Sequence, residues 1–365
     1  MKIAEITGFL EQLAPPAYQE SYDNAGLIAG SPDWTCTGIT ISLDATLDVI
    51  LEAAERGHNL VVAHHPIVFS GIKKLNGRNY VEKALIAAIK KDIAIYAIHT
   101  NLDNLIDGVN GRIADQLGLK NRRILQPKQH TLKKLAFFVP QAHTEKVLDA
   151  VFNAGAGQIG QYSECSFRVN GSGSFRAGDQ ANPFVGEIGK RHTEPEDRVE
   201  IIYPQVLERK VLEALLKNHP YEEVAYDCYP LTNTHPGIGA GLMGELEQER
   251  PVKEFLDDLK ALFKVPVVRH SPLVKDRIRK VAVCGGAGSF LISSAVHSGA
   301  DIYITADVKY HEFFDANDQL VIADIGHFET EQYTVDLLYD ILAEKFPTFA
   351  VFKTGVKTNP VNYHI

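Results

Sequence analysis

Two adjacent histidines, His64 and His65, end an apolar segment and are followed at once by Pro66. The segment NLVVAHHPIVF is typical of a buried strand that stops at the histidines, because proline has no backbone N–H to donate to a sheet. Side chains alternate between the two faces of a continuing strand, so both imidazoles can enter one cleft only where the strand ends. The pair could therefore bind metal ions, or it could simply cap backbone groups at the strand end.

A second polar group follows the apolar segment IAIYAI and contains His99 and Asp103 in the motif HTNLD. Asp103 offers a hard oxygen ligand that can bridge two cations. His99 could bind an ion itself, orient another ligand, or transfer a proton. Taken alone, the motif favours a simpler interpretation, in which Asp103 and Asn104 begin the turn before the next helix.

The third group is GHFETEQY, where the apolar segment LVIADI meets a predicted helix. His327 and Glu331 are four residues apart, so one helical turn brings them to the same face as a possible metal-binding pair. Glu329 lies further around the helix and suits a favourable charge in the first turn. The same helix-dipole role is the alternative for Glu331.

Together these motifs supply five nitrogen or oxygen ligands without sulfur, namely His64, His65, Asp103, His327 and Glu331. Five ligands exceed the needs of one tetrahedral ion with an open position, but they suit two divalent ions roughly 3.5–4 Å apart, as in dinuclear hydrolytic centres. The ligand types fit Zn, Fe or Mn, and composition does not choose among these metals.

Two further segments are weaker candidates. The Gly-rich turn CGGAGS, from Cys284 to Ser289, could hold a phosphate on its backbone N–H groups, but a plain tight turn is at least as good an interpretation because the Lys-Ser/Thr ending of a phosphate loop is missing. The segment YDNAGLIAG could bring Asp23 and Asn24 near the cleft or form an ordinary turn.

The segment ADVKYHE contains two further candidates for chemistry, Lys309 and His311. Either could hold an anionic substrate or act as an acid or base. Asp307, which precedes them, suits a helix cap.

Strands and helices alternate from Thr37 to about Asn121 and again from about Lys280 to the C-terminus. This order predicts an α/β fold in which helices cover a mixed sheet. Ligands of such sheets collect beyond the carboxyl ends of the strands, where the three motifs lie. The two parts would form one discontinuous core from residues 1–129 and 234–365.

The middle of the chain has a different pattern. Residues 130–233 show the β-α-β-β-α-β order of a ferredoxin-like α+β domain, inserted into the core. The Pro/Gly-rich segment TNTHPGIGAGLMGEL that follows is predicted to be the linker that returns to the core.

Composition excludes several classes of protein. The net charge of -9 argues against nucleic acid as a partner, because such a surface needs a basic patch. No run of 18 apolar residues is present, and the segment MKIAEITGFLEQL is an amphipathic helix, so we expect no membrane span and no signal peptide. Four scattered cysteines without a C-x-x-C pair indicate a reduced, cytoplasmic protein.

The motifs SLDAT, AHHP, HTNLD, GGAGS, DVKYHE and GHFETE occur in this order along the chain. In this they resemble the NGG-interacting-factor-three-like proteins, a dinuclear-metal family in which many members carry the name GTP cyclohydrolase I type 2 homologue. The resemblance covers essentially the whole chain, with no departure at the ligand positions. The inserted domain is similar to the PII and CutA proteins, and HPYEEVAYD, from His219 to Asp227, resembles their closing segment.

The resemblance implies that His64, His65, Asp103, His327 and Glu331 bind two metal ions, and that the protein is a toroidal homohexamer with its sites facing an internal cavity. It also implies a GTP cyclohydrolase-like activity. We therefore expect a metallohydrolase acting on a nucleotide-like or phosphate-bearing small molecule. The alternatives are a non-catalytic regulatory or scaffold hexamer with bound metal, and a metal storage or delivery protein.

Overall fold

The chain folds into two units, of which the first is discontinuous in sequence. The computed structural model describes residues 1–364. Unit 1 comprises Met1–Pro127 and Pro236–Ile365, and unit 2 comprises Lys128–His235.

The strands and helices of the described residues are named here in chain order. The strands are β1 Gly26–Ala29, β2 Ile39–Asp44, β3 Leu60–His65, β4 Ala94–Ala97, β5 Lys120–Pro127, β6 Leu132–Pro140, β7 Ser166–Arg176, β8 Arg191–Pro204, β9 Tyr226–Pro230, β10 Gly239–Pro251, β11 Arg269–His270, β12 Arg277–Ala287, β13 Ile302–Ala306, β14 Val321–Asp324 and β15 Val351–Lys353. The α-helices are α1 Ile3–Leu13, α2 Leu47–Glu55, α3 Tyr80–Lys90, α4 Thr100–Asp103, α5 Val109–Gln116, α6 Thr144–Asn153, α7 Glu208–Asn218, α8 Val252–Phe263, α9 Ile292–Ser298, α10 His327–Glu331 and α11 Thr334–Lys345.

The first sheet of unit 1 has the strand order β1-β4-β3-β2-β15. The strands from β4 to β15 run parallel, and β1 joins the edge antiparallel to β4. Strands β2 and β3 are almost entirely buried, which explains their continuous apolar sequences. Their register pairs Asp44 with His65 at the carboxyl edge of the sheet.

The second sheet of unit 1 has the order β11-β14-β13-β12-β10-β5. Strands β12, β13 and β14 are parallel, whereas β11, β10 and β5 are joined by antiparallel pairing. The predicted α/β class with mixed sheets is confirmed, but the core contains two such sheets rather than one. A single buried cluster contains apolar residues of both sheets and of helices α1, α5, α8 and α11.

The predicted return linker is wrong from Gly239 onward, because strand β10 begins there. Its glycines allow close approach of neighbouring elements. A Cβ at Gly239 would overlap the β5 backbone, and a Cβ at Gly241 would lie 2.7 Å from a Leu291 methyl carbon.

The last long helix of the sequence is in fact two helices, α10 and α11. The amide of Gln332 donates a hydrogen bond of 2.9 Å to the carbonyl of Glu329. In a continuous helix the backbone N–H of Tyr333 would donate to that carbonyl, and at the end of α10 the side chain of Gln332 donates to it.

Unit 2 has the element order β6-α6-β7-β8-α7-β9 and the sheet order β7-β8-β6-β9, with every pair antiparallel. This is the predicted ferredoxin-like arrangement. Its core packs α6 and α7 against the sheet through Phe137, Val151, Tyr203 and Leu215, all fully buried. In residues 1–364, no helix is both long enough and apolar enough to cross a bilayer.

Candidate metal centre

His64 and His65 are the last two residues of β3. His64 is completely buried, and its Nδ1 lies 2.9 Å from the carbonyl oxygen of Ile98 at the end of the neighbouring strand. The two imidazole centroids are 4.9 Å apart and tilted by 49°, so the end of the strand turns both rings towards the same region.

The next strand, β4, is followed by His99 and the short helix α4, which ends with Asp103. The His99 ring lies 5.2 Å from the His64 ring and 5.4 Å from the His65 ring. The Oδ1 atom of Asp103 is 3.6 Å from Nε2 of His64.

His327 and Glu331 belong to α10, which follows β14 of the second sheet. Their spacing within one helical turn brings Nε2 of His327 to 3.1 Å from Oε2 of Glu331. The same oxygen is 3.0 Å from Nε2 of His65. The structure therefore brings together the residues that the three separate motifs supply.

The carboxylate that all of these residues surround is Glu331, whereas the sequence pointed to Asp103 as a bridging ligand. Oε2 of Glu331 faces His65 and His327, and its Oε1 lies 3.8 Å from Nε2 of His64. Asp103 approaches only His64 among the imidazoles. Glu331 is thus the carboxylate with one oxygen toward each side of the centre.

Carboxylates outside the centre orient three of the imidazoles. The Nδ1 atoms of His65, His99 and His327 lie 2.8, 2.8 and 2.7 Å from Asp44, Asp23 and Asp307, respectively. When Nδ1 carries the proton and donates to a carboxylate, the Nε2 lone pair is free to bind a cation. Each ring is therefore fixed with Nε2 directed to the centre.

Asp44 and Asp307 were missed as supporting residues. Asp44 is the last residue of β2 and pairs with His65 of β3. This pairing becomes visible only once the strand order is known. Asp307 has a left-handed backbone, with φ of +56°, and was assigned to a helix cap. Asp23 was recognised only as a residue that could lie near the cleft.

The buried polar atoms of the centre lack hydrogen-bond partners in the described chain. These atoms are Nε2 of His64, Oδ1 of Asp103 and Oε2 of Glu331. Burial raises the pKa of Asp103, and the nearby Glu331 charge raises it further. Burial opposes ionisation of Glu331 too, but the neighbouring imidazoles of His327, His64 and His65 hold its pKa well below the usual range.

The surrounding carboxylates also shift the pKa values of two imidazoles. Burial would lower the pKa of His65, but Asp44 and Glu331 outweigh it and raise the pKa to about 10. Burial likewise opposes a proton on His327, and Glu331 with Asp307 raises its pKa to about 9. A site that favours protons on two adjacent imidazoles favours positive charge. A divalent cation bound by these nitrogens would supply positive charge in place of the protons.

Two overlapping groups of side chains have ligand atoms close enough to hold a metal ion. One group is His64, His65 and His99, and the other is His65, His327 and Glu331. Unsatisfied buried atoms, fixed imidazole orientation and sulfur-free ligands all fit a divalent transition metal. These side chains could therefore hold a metal ion.

The Gly-rich turn at Cys284–Ser289 makes room for this centre. A Cβ at Gly286 would overlap Oε1 of Glu331 and lie 3.2 Å from Nε2 of His327. The N–H groups of Gly285 and Gly286 donate to Asn110 and Thr330 at 3.0 and 2.9 Å, so neither is free for a phosphate.

Lys309 and His311 are exposed on the segment after Asp307. His311 contacts the rings of Tyr310 and Phe314. In the part of the chain that the structure describes, neither Lys309 nor His311 makes a hydrogen bond, ion pair or ring contact with the four imidazoles of the centre.

A cavity of about 250 Å³ opens beside the candidate metal ligands. His65 and His327 line it, together with Asp44, Phe69 and Tyr80. His327 is 38% exposed, whereas Glu331 is 3% exposed and His64 is fully buried, so the centre is closed on the His64 side and accessible on the His327 side.

Known proteins resemble this chain over nearly its whole length. The sequence profile described as Duf34/NIF3 (NGG1p interacting factor 3) matches residues 1–360. The chain belongs to the Duf34/NIF3 family. A Bacillus subtilis member named GTP cyclohydrolase 1 type 2 homolog is 40% identical, with 98% of each chain covered. A Halalkalibacterium halodurans protein of the same name is 38% identical, with 100% of each chain covered.

A crystal structure of a Bacillus cereus protein related to NIF3 superposes on this Duf34/NIF3 chain with a TM-score of 0.87. That protein is 36% identical in sequence, and the match covers 100% of this chain and 99% of the other. The family resemblance expected from the six motifs is confirmed.

Replacing Gly286 by alanine should weaken metal binding, because the new Cβ overlaps a Glu331 oxygen. We expect a loss in affinity of about tenfold or more, the size seen when support of a metal ligand is disturbed. Gly299→Ala is the matched control, since Gly299 also has a positive φ, +74°, but nothing lies within 4 Å of its added Cβ. Metal content measured by inductively coupled plasma mass spectrometry would separate the two. Equal metal content in both variants would contradict the assigned role of Gly286.

Proposed function

We propose that this chain is a dinuclear metal-dependent hydrolase acting on a nucleotide-like or phosphate-bearing small molecule. The observation that carries the proposal is the cavity beside His65 and His327, because a catalytic metal site keeps an accessible side whereas a structural site is closed. A site of this kind can admit both a substrate and water.

The arrangement around Glu331 supports two ions rather than one. One ion would be held by His65, His327 and Oε2 of Glu331, and the other by His64, Asp103 and Oε1 of Glu331. Zinc, iron and manganese suit these ligands. Bound divalent ions would supply Lewis acidity that polarises a substrate oxygen and lowers the pKa of water.

His99 is the side chain of the centre best suited to transfer a proton. Its Nδ1 is held by Asp23, whose pKa burial would raise but hydrogen bonds from His99 and Thr100 lower to about 2. The ionised Asp23 fixes the ring, so that its other nitrogen, Nε2, can take part in proton transfer. Lys309 and His311 stay candidates for holding an anionic group of the substrate.

Two aromatic side chains in the wall of the cavity favour a substrate with a planar ring. The exposed side chains of Phe69 and Tyr80 line it together with His65 and His327. Such rings offer stacking faces for a nucleobase. The name GTP cyclohydrolase 1 type 2 homolog, which relatives of the chain carry, points to the same class of substrate.

We also propose that the protein acts in the cytoplasm, as a ring of six copies. The four cysteines are free, as expected in a reducing compartment. Tyr310 and Phe314 of unit 1 are exposed and their ring centroids lie 5.8 Å apart, and exposed apolar surface of this kind favours association. Light scattering should give six times the chain mass of 40.3 kDa. The mass of a single chain would contradict the ring.

The hydrolase proposal predicts that Glu331→Gln and Asp103→Asn abolish metal-dependent turnover, by more than about a hundredfold, because each removes a ligand charge. The measurement is metal analysis coupled to an activity screen over nucleotides and phosphodiesters. Glu329→Gln is the matched control, since Glu329 lies on the same helix but accepts a hydrogen bond from Asn359 at 3.0 Å.

Circular dichroism should show an intact fold in all three variants. Full turnover in the Glu331 and Asp103 variants would contradict the proposal. Metal-loaded wild-type protein that hydrolyses no tested class would instead support a regulatory or scaffold role, and rapid reversible exchange of the metal would support storage or delivery.

A further inference from the structure

Unit 2 contains a cavity that the proposed hydrolase does not use. It has a volume of about 440 Å³, within the range of small-molecule sites. Its walls come from the end of β7, the segment after it, the start of β8 and the turn between α7 and β9. The lining residues include Phe138, Phe175, Arg176, Glu196 and Tyr221.

A buried carboxylate, that of Glu196, lies in the wall of this cavity. Glu196 is only 8% exposed. Its Oε1 accepts a hydrogen bond of 2.9 Å from the hydroxyl of Tyr221. In the described chain, Oε2 receives no hydrogen bond, and no basic nitrogen lies within 4.0 Å of either oxygen. Gly173 leaves the space for Oε2, since a Cβ there would overlap it.

The neighbouring residue Asp197 is a buried carboxylate of the same unit with which the hydrogen bonds of Glu196 can be compared. Asp197 is also buried, but each of its oxygens has a partner. Thr144 donates to Oδ2 at 2.8 Å, and the amide of Asn170 donates to Oδ1. A carboxylate held in a cavity wall with one oxygen unpaired within the chain can accept a hydrogen bond from a ligand that enters the cavity. Glu196 is therefore suited to a ligand rather than to the fold alone.

Aromatic rings form the apolar part of the wall. Phe175 and Tyr221 meet edge to face with centroids 6.0 Å apart, and Tyr221 also packs against His219 at 5.1 Å. These contacts hold the rings in place before any ligand binds. Aromatic faces beside a carboxylate attract organic cations through both apolar contact and the ring quadrupole.

The remaining charges of the cavity favour the same sign of ligand. Glu222 and Glu223 line it, and Glu222 anchors the adjoining segment by accepting a hydrogen bond from the backbone N–H of Asn182 at 2.8 Å. Arg176 is the one basic residue among those that line the cavity, and it is exposed. Three carboxylates and one guanidinium leave the site net negative.

We propose that unit 2 binds a small organic ammonium ion, with an N–H group donating to Oε2 of Glu196 and an apolar body against Phe175 and Tyr221. A primary ammonium fits better than a quaternary one, because the unused oxygen needs a hydrogen-bond donor. Such a site would let unit 2 respond to an amine independently of the metal centre.

Isothermal titration calorimetry of the full chain tests this site with three matched probes, 2-phenylethylammonium, 2-phenylethanol and 3-phenylpropionate. The ammonium should bind at least about tenfold more tightly than the alcohol, as expected for a charge-assisted hydrogen bond. Equal binding of ammonium and alcohol, preferred binding of the carboxylate through Arg176, or no binding of the ammonium at millimolar concentration would overturn the proposal.

Variants locate the binding. Glu196→Gln should weaken ammonium binding by about tenfold or more, while keeping an acceptor for the Tyr221 hydroxyl. Glu213→Gln is the control, an exposed residue of α7 in the same unit. Asp103→Asn should leave ammonium binding unchanged, which excludes binding of the amine at the metal centre. Binding that falls in Asp103→Asn but persists in Glu196→Gln would contradict the assignment.

Discussion

The Glu331 carboxylate lies in the interior of unit 1, with imidazoles on both sides of it. A charge removed from water in this way is stable only if positive charge and hydrogen-bond donors surround it. The other features of the centre meet that requirement. His64, His65 and His327 face its oxygens, and Gly286 leaves the space that the carboxylate occupies. The negative charges of Glu331 and of the aspartates around the imidazoles would in turn favour a divalent cation bound between them.

The fold supplies these partners from the ends of parallel strands in two sheets. In the first sheet, β3 ends with the histidine pair and β4 precedes His99, while β2 ends with the Asp44 that orients His65. In the second sheet, β12 ends in the Gly-rich turn and β14 precedes α10 with His327 and Glu331. Because parallel strands place their carboxyl ends at one edge, residues far apart in sequence meet without long loops.

The ligand types were predictable because chemistry limits them. Adjacent histidines before Pro66, an aspartate after the next strand and a His–Glu pair at helical spacing are visible in the sequence itself. What could not be predicted depends on strand order and three-dimensional distance. Asp44 supports His65 through a cross-strand register, and Asp307 reaches His327 across 20 residues of sequence.

Glu331, rather than Asp103, lies at the middle of the centre. This position follows from interatomic distances, which cannot be read from spacing in the sequence. The same limit applies to the fold. Alternating strands and helices predicted the α/β class, but two sheets instead of one depend on which strands pair. The glycines of β10 resembled a linker because close backbone approach and flexible turns both require glycine. The amide of Gln332 donates to the carbonyls of Phe263 and Glu329 at the end of α10, and no periodicity reveals these contacts.

The most direct test of the central claim is anomalous X-ray diffraction from crystals of the metal-loaded protein, with data collected at the zinc, iron and manganese absorption edges. Two anomalous peaks per chain are expected, on opposite sides of the Glu331 carboxylate. One should lie within ligand distance of His65 and His327, and the other within ligand distance of His64 and Asp103. A single peak, or peaks that Glu331 does not contact, would contradict the central claim.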